Sequence, residues 1–271
     1  MKQTLAKAQI EAEMTSRFGA VFKLGEKPPA QFLPSGVLEI DALTGGGLPR
    51  GAISEIVGAT SSGRITLLLS VLAWATANNE ICVLVDTSDS FDPASASNAQ
   101  VDFNRLLWVR CGNSLERAFK ATDLLLQSGG FGLVALNLAD VAAKYTRRIL
   151  SSWWFRFRRA IENTPTALVV VTPVACVRSC ASVVLELKNE GAIWPVSRPL
   201  ALQTSDTIQD RKQSANMRQL SLVSNSRSRP HQSSLLTHSH LMQSIDVGVN
   251  LAKPTSWTQG PARFSCVVRP E

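Results

Sequence analysis

Ile53-Ser54-Glu55-Ile56-Val57-Gly58-Ala59-Thr60-Ser61-Ser62-Gly63-Arg64-Ile65-Thr66 begins as a β-branched run, crosses a loop bounded by two glycines, and opens into an apolar segment. Strand, Gly-x-x-x-x-Gly loop and helix form the setting in which backbone amides at a helix start wrap phosphates. Gly58 and Gly63 stand at that spacing, with Ser61 and Ser62 between them. The next two positions depart from the pattern, which asks for Lys and then Ser or Thr. Arg64 keeps the charge, but as a wider planar fork. Ile65 has no oxygen to offer magnesium. Thr66 carries a hydroxyl one helical position on, about 100° round the axis. Gly58, Ser61, Ser62, Gly63, Arg64 and Thr66 are therefore read as a vestigial phosphate loop. ATP binding should be weak at most, no cofactor is required, and Mg-ATP hydrolysis is expected to be absent.

Working outward, Ile53–Val57, Ile81–Asp86, Leu107–Arg110, Leu133–Leu138, Ala167–Thr172 and Ser182–Leu187 read as strands, the last closing the sheet. Ile65–Asn78, Leu115–Gln127 and Tyr145–Asn163 read as helices, the second stopped by Gly129-Gly130. Apolar strands alternating with helices predict an α/β fold, a mostly parallel sheet covered on both faces. Residues 3–18 read as a short N-terminal helix with Ile10, Met14 and Phe18 on one face, ended by Gly19. That helix either caps the core or docks on a neighbouring subunit. From about Gln203 the chain turns to Ser, Thr, Gln, Asn and His, with eight basic against four acidic residues to the end. Strand-like fragments survive at Leu220–Val223, Val247–Leu251 and Phe264–Val268. The reading divides the chain into 1–26, an N-terminal helix and its exit; 27–202, the core; and 203–271, a polar, weakly folded, irregular C-terminal appendage.

Composition bounds the function. Hydrophobic residues at 45% allow a sizeable core, which excludes global disorder. The longest apolar stretches, Leu67–Ala75 and Ala167–Val171, are too short to span a bilayer. The opening Met1-Lys2-Gln3-Thr4-Leu5 lacks a secretory signal's apolar core, so a cytoplasmic protein without a membrane partner is expected. Five scattered cysteines make no CxxC pair, and His238 with His240 lacks an acidic or cysteine companion. No metal site is expected. A net charge of +7 points to anionic partners, nucleic acid first.

On a helical wheel, Ile149, Leu150, Trp153, Trp154, Phe157, Ala160 and Ile161 fall on one arc, which is core. Arg147, Arg148, Arg158 and Arg159 take the other side, with Phe155 among them. Two readings of that face stand. It is an ordinary solvated face, or an aromatic flanked by arginines that stacks a base or grips an acidic partner.

Leu33-Pro34-Ser35-Gly36-Val37-Leu38-Glu39-Ile40-Asp41, followed by Gly45-Gly46-Gly47-Leu48-Pro49-Arg50-Gly51-Ala52 and the phosphate-loop stretch, resembles the bacterial recombinase RecA in order and spacing. Arg17-Phe18-Gly19, Phe22-Lys23-Leu24-Gly25-Glu26, and Val85-Asp86-Thr87-Ser88-Asp89-Ser90-Phe91-Asp92-Pro93 continue the likeness. It runs over roughly residues 8–110 and thinly, in register, to about 190. The resemblance implies a RecA-like core. It also implies that the family's water-activating glutamate falls on Ser88, which is no carboxylate base. Neighbouring Asp89 could replace it only with a backbone shift. The family's metal-positioning aspartate falls on Asn137, with Asp140 a turn beyond. Its Asn-Gln sensor falls on Thr172-Pro173. Its two glycine-rich DNA loops are reduced, since Asn137 to Ala167 leaves little more than a helix and Val174–Ser182 is short. This pattern of loss most resembles the ImuA family of degenerate RecA homologues.

That likeness implies a non-hydrolysing accessory protein of the SOS response and translesion mutagenesis. Its partners would be RecA and error-prone polymerase components, with single-stranded DNA as a further candidate. A diverged ATP-dependent recombinase and a SulA-type cell-division inhibitor are the alternatives.

Overall fold

The structure, a computed structural model, describes residues 31–193, 244–254 and 261–267. The helix expected at 3–18, the fragment Leu220–Val223 and the His238/His240 pair lie outside the described residues. In chain order the elements are β1 (Phe32–Leu33), α1 (Leu38–Leu43), β2 (Leu48–Pro49), β3 (Ile53–Gly58), α2 (Arg64–Ala77), β4 (Cys82–Asp86), α3 (Pro93–Asn98), β5 (Leu106–Arg110) and α4 (Leu115–Ser128). They continue with β6 (Leu133–Asn137), α5 (Ala143–Thr146), α6 (Ser151–Ile161), β7 (Ala167–Thr172), β8 (Ala181–Ile193), β9 (Ser244–Lys253) and β10 (Ala262–Val267).

Eight strands form one sheet in the order β10-β9-β8-β3-β7-β6-β4-β5. The six from β8 to β5 run parallel, while β9 and β10 are antiparallel additions. Every residue of β3, β4, β6 and β7 is buried. Their near-continuous apolar sequences suit strands covered on both faces. Within β7, Val169 and Val171 face the α1 and α2 side with Ile40, Leu67 and Leu72. Leu168 and Val170 face the opposite layer with Phe119, Trp154 and Phe157 of α4 and α6. Side chains alternate across a strand, so one sheet supplies two cores.

Three expectations need correction. The described part of 203–271 is not an irregular appendage, because β9 and β10 complete the sheet, and β8 runs to Ile193 without closing it. Val247 and Val249 are buried, while Asn250 and Ala252 are exposed. The mixed pattern of an antiparallel edge is a weaker sequence signal than a buried run. The single helix expected at Tyr145–Asn163 is two, α5 and α6, joined by an elbow at 147–150. Leu150 leaves helical space there, with φ −66° and ψ 132°. The β-branched Thr146 and Ile149 weaken the helix at that point.

Candidate phosphate-loop site

The loop after β3 turns through left-handed backbone at Ser61 (φ 60°) and Gly63 (φ 86°). Its walls are close. A Cβ on Gly63 would lie 2.7 Å from Val247 Cγ2, and one on Gly58 would collide with Ser62 Oγ and sit 2.9 Å from Leu187 O. Asn189 Nδ2 donates to Ser61 O at 3.1 Å. Strands β8 and β9 thus hold the loop from the side, a contribution that the reading of residues 203–271 missed. Ser62 is buried, and its hydroxyl has no hydrogen-bond partner among the described residues.

Arg64 opens α2 and is only 4% exposed. Its Nη1 donates to Gly58 O, and its Nη2 donates to Ala139 O at 2.7 Å. Asp140 stands 3.9 Å away, half exposed. Burial pushes the guanidinium's pKa down, and the Asp140 carboxylate opposes that shift. The fork joins the first glycine of the loop to the end of β6, so these donors face protein carbonyls. Ile65 and Thr66 are exposed at the helix start.

Across the sheet, Asp86 is fully buried at the end of β4. Its Oδ2 accepts from Phe91 N at 2.9 Å, and its Oδ1 accepts from Asn137 Nδ2 at 3.4 Å. Asn137 Nδ2 also reaches Ser90 Oγ at 3.3 Å, and its Oδ1 accepts from Ala139 N at 3.1 Å. A carboxylate at 137 would face Asp86 as a like charge, which only a cation or a shared proton could relieve. The amide removes that need. Ser88 lies just beyond the strand, partly buried. Asp89, in left-handed backbone at φ 53°, pairs with Arg110 at 3.3 Å. Ile65 without an oxygen, Asn137 bonded to its neighbours and Asp89 bound elsewhere do not make a donor set for magnesium.

Glu55 received no role in the sequence reading, although a charged residue inside a buried strand is itself a signal. Its Oε1 accepts from Cys176 N at 2.7 Å, Val177 N at 3.2 Å and Thr172 Oγ1 at 3.3 Å. Burial raises its pKa above the usual carboxylate range, against these hydrogen bonds. The Thr172 hydroxyl is thereby directed at Glu55, which ties down the short connection from β7 to β8.

The arginines predicted to share one helical face lie on two segments of the chain. Arg147 and Arg148 lie in the elbow, and Arg158 and Arg159 close α6. All four are exposed, as is Phe155 at 54%. Arg156, outside the predicted set, pairs with Asp123 at 2.6 Å.

Residues 3–150 match the family model of the RecA N-terminal domain. Protein RecA of Frankia casuarinae is 37% identical over 145 residues, covering 52% of this chain and 41% of its own length. Protein RecA of Wigglesworthia glossinidia brevipalpis is 30% identical over 190 residues, 64% of this chain and 57% of its own. Protein RecA of Nocardia farcinica is 36% identical over 184 residues, 62% and 52%. The chain therefore spans about half the length of the curated relatives it matches. No helix among the described residues is long and apolar enough to cross a membrane.

Proposed function

The chain belongs to the RecA N-terminal domain family, and from that premise we propose that it is a non-hydrolysing accessory member. It serves the bacterial DNA-damage response and translesion mutagenesis in the cytoplasm through protein or DNA contacts. The observation that carries this reading is Arg64. Its buried guanidinium bonds Gly58 O and Ala139 O, inside the loop where phosphates would be wrapped. Ile65, Ser88 and Asn137 support it, since Ile65 has no oxygen for the metal and neither Ser88 nor Asn137 has the carboxylate that metal-assisted phosphoryl transfer uses at its position. An ImuA-like role, with RecA and error-prone polymerase components as partners, follows from that pattern of loss.

Genetic complementation tests the proposal. In a bacterium lacking this gene, damage-induced mutation should fall, and a wild-type copy should restore it. Ile65→Asp places a carboxylate at an exposed helix start, where it suits the dipole but repels phosphate. That copy should restore mutagenesis as fully as wild type. A normally expressed I65D protein that restores nothing would mean that the function requires nucleotide.

A further inference from the structure

Between α4 and the elbow joining α5 to α6 lies an open groove of about 320 Å³. Phe119 and Trp153 form its floor, with ring centroids 5.5 Å apart, and Leu115 and Ile149 flank them. Leu150 and Tyr145 also line it, 67% and 50% exposed. The extended backbone at Leu150 makes the elbow, and a continuous helix would have carried this leucine on the core arc. An exposed leucine and tyrosine beside an aromatic floor make a pocket suited to apolar anchors.

The charge around this groove selects among occupants. Arg148 lines it, Arg147 is adjacent in the chain, and Lys144 Nζ lies 4.9 Å from the centre of the Tyr145 ring. None of the three takes part in an ion pair with another described residue. Glu116 also lines the groove, but it is bound to Lys120 at 2.7 Å. The rim is therefore positive, with its carboxylate already matched.

We propose that this groove docks an acidic peptide segment of a partner protein. Leucine or phenylalanine anchors sit against Phe119 and Trp153, and flanking carboxylates meet Arg148, Arg147 and Lys144. Charge-assisted pairs at such a rim set register, while the apolar anchors supply most of the affinity. Single-stranded nucleic acid fits less well. A strand needs a basic track with stacking faces along it, and Arg158 and Arg159 lie at the far end of α6. The proposal rests on the reading of this protein as one that acts by contact.

The test uses the full chain and fluorescein-labelled probes. They are an acidic peptide of Asp, Glu, Leu and Phe, its Lys-substituted counterpart, an oligothymidylate, and a peptide of residues 3–18. Leu150 occupies the N-cap of α6, so Leu150→Asp supplies a favoured capping residue and should keep the fold, checked by melting temperature. The acidic peptide should bind wild type, and L150D should weaken it at least about tenfold. Arg148→Glu should weaken the acidic peptide and strengthen its Lys-substituted counterpart. Equal binding of the two peptides by wild type, or unchanged binding by L150D, would overturn the proposal. So would displacement by oligothymidylate, or tighter binding of the 3–18 peptide. If the groove fails while I65D still complements, only the docking site is lost. If the groove binds while I65D fails, the accessory reading is lost instead.

Discussion

At the scale of single residues, Arg64 and Asn137 of the phosphate-loop site spend their hydrogen bonds on the protein, while the buried Ser62 hydroxyl has no partner among the described residues. Asn137 illustrates it best. Its amide faces the buried Asp86 carboxylate at 3.4 Å and also reaches Ser90. Asn137→Asp should cost about 2–4 kcal/mol, because it replaces a donor with a like charge in a buried position. Magnesium or manganese should return part of that loss to the variant and leave wild type unchanged, since ligands stabilise only the state they bind. Thermal unfolding with and without the metal measures both effects. A variant as stable as wild type in metal-free buffer would remove the argument. Most of these positions could be picked out from the sequence, because spacing marks the loop and resemblance marks Ser88 and Asn137. The hydrogen bonds of Arg64 to Gly58 O and Ala139 O could not, since their ends lie 6 and 75 residues apart along the chain.

Among the elements, buried strands and capped helices were legible. Ala167–Thr172 is read from sequence with the bounds it has in the structure, and α4 ends where Gly129 takes φ 66°. The elbow was not, and of the antiparallel strands only the fragments Val247–Leu251 and Phe264–Val268 were, without their place in the sheet, because local propensity there is weak and tertiary packing decides. The apolar arc of α6 holds for Trp154 and Phe157 but not for Leu150. Trp154 is 1% exposed and packs edge-on against Phe119 at 5.2 Å. Trp154→Ala should cost about 3–5 kcal/mol, by creating a large cavity between α4 and α6. Trp154→Phe should cost far less, because the indole N–H is buried without a partner among the described residues and its removal offsets lost volume. Denaturant melts of both variants decide it, and equal losses would mean that the indole makes a bond of value.

For the whole molecule, the sheet is an α/β RecA-like one, and the proposed loss of catalysis concerns side chains at the ends of its strands. Strand β9 packs Val247 onto Gly63, and Arg64 bonds the loop to the end of β6. The loop is therefore built into the fold, whether or not a nucleotide binds. Loss of catalysis is separable from stability in such a design. The assay for that loss is ATP turnover of the purified full chain with magnesium and excess single-stranded DNA. Wild type should match the Ile65→Asp variant at background, and Arg64→Lys with Ile65→Thr should bind nucleotide better yet still not hydrolyse it. A DNA-stimulated wild-type rate that disappears in I65D would mean that the loop is a working ATPase site.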